Sequence, residues 1–176
     1  MSQAEIAGGT PTPRNELPSS GHLLRDFTLM SALGQRAQLS DYRGRSNLVL
    51  ICADERAETK QLLLDLASQY TQIQSEEAEI LIVVGSPAEA AKKKDQLKLP
   101  YRILADENGR IHHELGAVDS QEQSFTAVYV TDRFGEVFGA YRTRDGQSLP
   151  LVAEIVNVLE FINIQCPECE APEWPI

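Results

Sequence analysis

Cysteine is scarce in this chain: Cys52, Cys166 and Cys169 are the three it has. Three thiols cannot frame a disulfide scaffold, and in a reducing compartment a close pair reads as redox-active or metal-binding before it reads as structural. Positive charge is short as well. The chain has 16 Lys and Arg against 26 Asp and Glu, a formal charge of -10, so nucleic acid and anionic membrane surfaces would repel it. No apolar run approaches the length that spans a bilayer. The opening MSQAEIAGGTPTPRNELPSSG has neither the basic start nor the apolar stretch of a signal peptide. The expectation is a cytoplasmic protein with no nucleic-acid or membrane partner.

What is present is a 42% hydrophobic composition, enough for one compact core. Residues 1–21 are rich in Gly, Thr, Pro and Ser without a period, and are expected to form a flexible arm. Residues 22–163 are assigned to one domain and residues 164–176 to a tail. After DFTLM, Gly34 marks a hairpin turn, and Ser40 or Asp41 is a candidate cap. The runs LVLIC from Leu48 and EILIVVG from Glu79 are apolar without alternation, as in strands buried on both faces of a parallel sheet. Between them, Leu62, Leu63, Leu66, Tyr70 and Ile73 mark one face of a helix. A second helix begins with Ser86 as cap and Pro87 at its first position.

Further along, YRILAD reads as a strand, and Gly116 closes a short helix. TAVYVTD and RFGEVFGAYR read as two antiparallel strands joined at Phe134-Gly135. A last helix is expected over residues 149–162, burying Leu151, Ile155, Val158, Leu159 and Ile162. This order predicts an α/β sandwich with a central mixed sheet and an N-terminal hairpin.

The segments DFTL, LSDYRGRSNLVLI, YRILADENGRIHHELGA and TAVYVTDRFGEVFGAYR together resemble the peroxiredoxin branch of the thioredoxin-like superfamily, the alkyl hydroperoxide reductase and thiol-specific antioxidant family. The resemblance spans roughly residues 21–162 and implies a thioredoxin-like fold. It also implies a peroxidatic cysteine at the start of the helix after LVLIC, and there the match ends. That position falls near Arg56, and the second position of a thioredoxin-type CxxC falls near Thr59. The arginine that the family places before a later strand is replaced by Thr126, where thioredoxins carry a cis-proline. The expectation is a degenerate site without ordinary peroxidase activity.

Cys52 ends an apolar run and is expected to pack as a small hydrophobe, with Asp54, Glu55 and Glu58 nearby to disfavour a thiolate. These acids also suit the first turn of a helix, where they complement its dipole. The remaining thiols stand in a CPEC arrangement in the tail FINIQCPECEAPEWPI. Three readings are open. Cys166 and Cys169 can close a disulfide and exchange with a partner protein, although Glu168, Glu170 and Glu173 raise their pKa values. They can supply half of a zinc site, completed by a second subunit in a homodimer or by His112 or His113, which as helix neighbours point to different sides. Or the tail docks through Trp174 with its thiols idle. His22 has no nucleophile at motif spacing, and Lys92-Lys93-Lys94 is expected to be a solvated helix face. No phosphate loop, paired-carboxylate motif or nucleotide fingerprint occurs, so no cofactor other than the alternative zinc is expected.

Overall fold

A computed structural model describes residues 16–165. Seven strands form one mixed sheet among the described residues: β1 (Thr28–Ser31), β2 (Arg36–Gln38), β3 (Asn47–Cys52), β4 (Ala78–Val84), β5 (Arg102–Ala105), β6 (Ala127–Thr131) and β7 (Val137–Arg142), in the order β2-β1-β5-β4-β3-β6-β7. β3, β4 and β5 run parallel, and their neighbours β1 and β6 pair with them antiparallel. Every residue of β3 and β6 is buried, which is why these strands carry no polar-apolar alternation. The expected hairpin is β1–β2, turning through Gly34 at φ +73. It is a continuation of the sheet through the β1–β5 pairing. Asp41 does act at a cap: its carboxylate accepts the Gln38 N–H at 3.1 Å, opening a short 3-10 turn over Leu39–Tyr42.

The helices are α1 (Ala57–Ser68), α2 (Tyr70–Ser75), α3 (Pro87–Leu97), α4 (Arg110–Glu114) and α5 (Val152–Ile164). The helical face expected from Leu62 to Ile73 is split at Gln69 into α1 and α2, and Leu62, Leu63, Leu66 and Ile73 are buried on it as expected. Ser86 caps α3 by accepting the Glu89 N–H at 3.1 Å. One cluster joins α1, α2, α5 and Ala90 of α3 to one face of the sheet. The opposite face is covered by Leu24, Phe27, Leu39 and the α4 region.

Two expectations are corrected here. α5 begins at Val152, so Leu151 is its N-cap and lies 70% exposed, while Val152, Ile155, Val156, Leu159 and Ile162 turn inward. The start is set by Glu154, whose carboxylate accepts the Leu151 N–H at 2.7 Å. At the other end of the chain, the last residues of the expected arm are bonded to the domain. The Gly21 N–H donates to the Val137 carbonyl at 2.8 Å, and the Arg142 Nη1 donates to the Pro18 carbonyl at 2.7 Å. Leu17 packs over Gly116, where a Cβ would stand 2.7 Å from a Leu17 methyl. Gly116, at φ +66, thus serves both the left-handed turn after α4 and this close contact.

Candidate functional site

The apolar run of β3 brings its C-terminal end to the edge of the sheet, and the next residues, Ala53 to Arg56, turn into α1. Ligand sites of open α/β sheets lie at such strand ends. Here the chain folds around its own carboxylate. Asp54, almost wholly buried, accepts the Arg56 N–H at 3.0 Å and the Thr59 hydroxyl at 2.6 Å on one oxygen. Its second oxygen is buried without a hydrogen bond and faces the Arg56 Nε at 3.2 Å.

Thr126, one residue before β6, places its hydroxyl 2.7 Å from that of Thr59, and accepts the Asp54 N–H at 3.3 Å. Since Thr59 gives its only hydroxyl proton to Asp54, Thr126 must be the donor to Thr59. Thr126 is itself held by Thr143, whose Oγ1 accepts the Thr126 N–H at 3.1 Å. The Arg56 guanidinium lies over the Phe125 ring at 5.3 Å, a cation–π contact that directs it across the loop.

Arg56 and Thr59, three residues apart, and Thr126, far along the chain, therefore meet around one carboxylate. Asp54 is the member that sequence reasoning missed as the centre. It had been taken with Glu55 and Glu58 as a first-turn acid, and its place in the short loop just beyond an apolar strand was the signal of a carboxylate bonded to its own loop.

The expectation for the lysine run is corrected. Lys93 is buried, with its Nζ 3.1 Å from Glu55, 3.7 Å from Glu89 and 3.5 Å from the Asp54 carbonyl. Successive helical residues are separated by about 100°, so three in a row cannot all face solvent on a packed helix.

Cys52 is fully buried between Val83 of β4 and Ala127 of β6. Burial, and secondarily the charge of Asp106, pushes its thiol far above the ordinary cysteine range. It packs as a hydrophobe and does not face the Asp54 cluster's polar groups: it belongs to the cluster of Leu50, Val83, Leu104 and Tyr129.

The two histidines diverge as helix geometry requires. His112 is buried with Nδ1 2.8 Å from Asp106, whereas His113 is exposed and meets Glu122 at 3.2 Å. His22 caps a surface turn with Ser19. Among the described residues no group of three or more His, Cys, Asp or Glu side chains is placed to hold a metal ion, and no helix is long and apolar enough to cross a membrane. Cys166 and Cys169 lie outside the described residues.

A mixed seven-stranded sheet flanked by helices, with β3 leading into α1, is the fold of the thioredoxin-like class. Residues 20–141, more than half of the chain, match the AhpC/TSA family, and the protein belongs to that family. Among curated relatives it is 29% identical to the chloroplastic peroxiredoxin Q of Oryza sativa subsp. japonica over 171 residues, covering 87% of this chain and 78% of the relative. It is 26% identical to the chloroplastic peroxiredoxin Q of Suaeda salsa over 130 residues, 72% of this chain and 61% of that protein.

Solved structures agree on the fold. The peroxidoxin BcpB of Mycobacterium tuberculosis superposes with a TM-score of 0.72 at 15% identity, over 82% of this chain and 98% of that one. AhpC of Enterococcus faecalis superposes with a TM-score of 0.69 at 17% identity, over 86% and 100%.

Proposed function

We propose that this protein is a redoxin-class member without peroxidase activity at the loop after β3, and that it exchanges thiols and disulfides with a partner protein through Cys166 and Cys169. The observation that carries the first half is the Asp54 cluster. The loop before α1 is closed on a carboxylate, one oxygen of which accepts from Arg56 and Thr59, with Thr126 bonded in turn to Thr59. No side chain in that cluster is a thiol. The one cysteine among the described residues is a buried core residue whose raised pKa disfavours the reactive thiolate.

The second half rests on the CPEC spacing. In the exchange, the Cys166 and Cys169 thiols lose two protons and two electrons to form one disulfide, and a partner disulfide gains them to become two thiols.

The test is peroxide consumption and disulfide exchange measured on wild type, Cys52→Ser and the double variant Cys166→Ser/Cys169→Ser. The reading expects no peroxide turnover in any of them, and exchange that only the double variant loses. Intact mass without reductant should show a loss of two hydrogens mapped to the tail peptide. Peroxide turnover that depends on Cys52 would overturn the first half. Free thiols throughout, or bound zinc released on denaturation, would overturn the second.

A second reading, a non-catalytic assembly module acting as a homodimer, is favoured by one observation. Phe161 and Ile164 of α5 are 52% and 80% exposed on one side of the helix, and Phe161 packs edge-on against Phe138 of the edge strand β7 at 6.3 Å. Exposed apolar groups gathered beside a sheet edge suit a protein interface. Light scattering of wild type and Phe161→Ser separates the readings: a dimer that the substitution dissociates supports assembly, and a monomer in both removes it.

A further inference from the structure

Next to the Asp54 cluster, between the start of α1 and the middle of α3, is a pocket of about 50 Å³ lined by Arg56, Lys60, Lys92, Lys93 and Gln96, with Glu55 as its one carboxylate. On a chain of net charge -10 this is a local inversion of sign, and a cleft lined by one sign of charge concentrates ions of the other.

Lys93 is the organising group. Its side chain is buried, and a buried ammonium requires a partner. Glu89 supplies one at 3.7 Å and is fixed in place, because its other oxygen accepts the Gly85 N–H at 3.1 Å. Glu55 is a second carboxylate on the same ammonium, at 3.1 Å, and its side chain is 60% exposed. Burial and the facing Glu55 push the Glu89 carboxyl up, as expected where two carboxyls crowd one cation.

We infer that this pocket binds a small oxyanion of the phosphate class, and that Glu55 is an internal competitor which such an anion displaces from Lys93. The exposed Glu55 carboxylate already shows how an oxyanion sits on that ammonium. Once it swings out to solvent, the ammonium groups of Lys60, Lys92 and Lys93 line the pocket without an opposing carboxylate of its lining, a charge suited to a dianion more than to a monocarboxylate. The size agrees. About 10–15 Å³ of such space holds one water, so a pocket of about 50 Å³ has room for a small tetrahedral oxyanion.

The experiment is calorimetric titration of the full chain with inorganic phosphate, at ionic strength held constant with chloride, alongside acetate. The expected result is saturable phosphate binding that acetate does not match. Glu55→Gln should tighten it by roughly fivefold, the scale of one screened charge contact, and the double variant Lys60→Ala/Lys92→Ala should weaken it by roughly tenfold or more. Lys94→Ala, whose lysine lines a different groove, should leave it unchanged. Circular dichroism of each variant separates lost binding from lost folding. The inference is overturned if phosphate shows no saturable binding, if acetate binds as tightly, if Glu55→Gln leaves the affinity unchanged, or if Lys94→Ala weakens it as much as the double variant.

Discussion

Asp54 and Asp106 hold matching places in the sheet, each just beyond the end of a parallel strand and each bonded to the segment that follows it, yet they are satisfied differently. Asp106, after β5, accepts the His112 N–H at 2.9 Å and the His112 Nδ1–H at 2.8 Å, with every partner buried alongside it. Asp54, after β3, accepts the Arg56 N–H and the Thr59 hydroxyl through one oxygen, while its other oxygen meets only Arg56, whose side chain is 45% exposed. One carboxylate is enclosed by structure. The other is shared between structure and surface, and around it gather the polar groups of three chain segments. The two carboxylates show how one residue type can serve the fold at one strand end and leave chemistry-bearing groups at the mouth of another.

The largest way to break this comparison is to remove each carboxylate. Asp106→Ala leaves a buried histidine and the first turn of α4 without acceptors, and should destabilise the protein by about 3 kcal/mol in urea unfolding. Asp54→Ala should cost about half of that, roughly 1.5 kcal/mol, because Arg56 can turn to water and Thr59 and Thr126 keep their bond to one another. Equal losses would mean that the exposure of Arg56 makes no difference to what the Asp54 carboxylate contributes.

Acid sharpens the contrast. Burial alone would raise the Asp106 carboxyl, but the hydrogen bonds from the His112 ring and from the backbone N–H groups of His112 and Ile111 outweigh it and hold Asp106 below its ordinary range. A folded-state pKa below the unfolded one contributes stability that is present above the unfolded value, about 3.9, and lost as pH falls through the folded value. Asp106→Asn should therefore be less stable than wild type at neutral pH, and the gap should narrow below about pH 4. A gap that stays constant down to pH 2 would show that Asp106 does not titrate with folding.

Much of this was legible in the sequence. Unalternating apolar runs gave away β3 and β4, Ser86-Pro87 marked the start of α3, and adjacent histidines had to part company on α4. The positions Arg56, Thr59 and Thr126 could be located from the resemblance, although Thr126 lies far along the chain from the other two. The centre of the site could not be found that way, because Asp54 becomes its hub only through two hydroxyls supplied from α1 and from the residue before β6. Lys93 was misread for a related reason. A run of identical charges carries no sign of which member faces inward, and that is decided by the two glutamates that meet it. Leu151 misled by one turn, since a capping glutamate three residues on sets the helix start more firmly than the apolar period does.

The smallest effect concerns reactivity at the strand end that is not enclosed. Placing a thiol at the head of α1 by Arg56→Cys, in a Cys52→Ser/Cys166→Ser/Cys169→Ser background, puts it where unpaired helix N–H groups favour a thiolate. The same substitution removes the cation beside Asp54 and leaves that carboxylate near the new sulfur, where negative charge disfavours ionisation. The two influences oppose each other. Labelling with a disulfide reagent at neutral pH should therefore proceed at close to the rate of an ordinary exposed cysteine. Adding Asp54→Asn should quicken it by roughly threefold to tenfold, as one adjacent charge is lost. If the single substitution already gives a fast, low-pKa thiol, then Asp54 does not suppress thiolate chemistry in this loop, and its role is confined to holding the loop through the residue-56 N–H and the Thr59 hydroxyl.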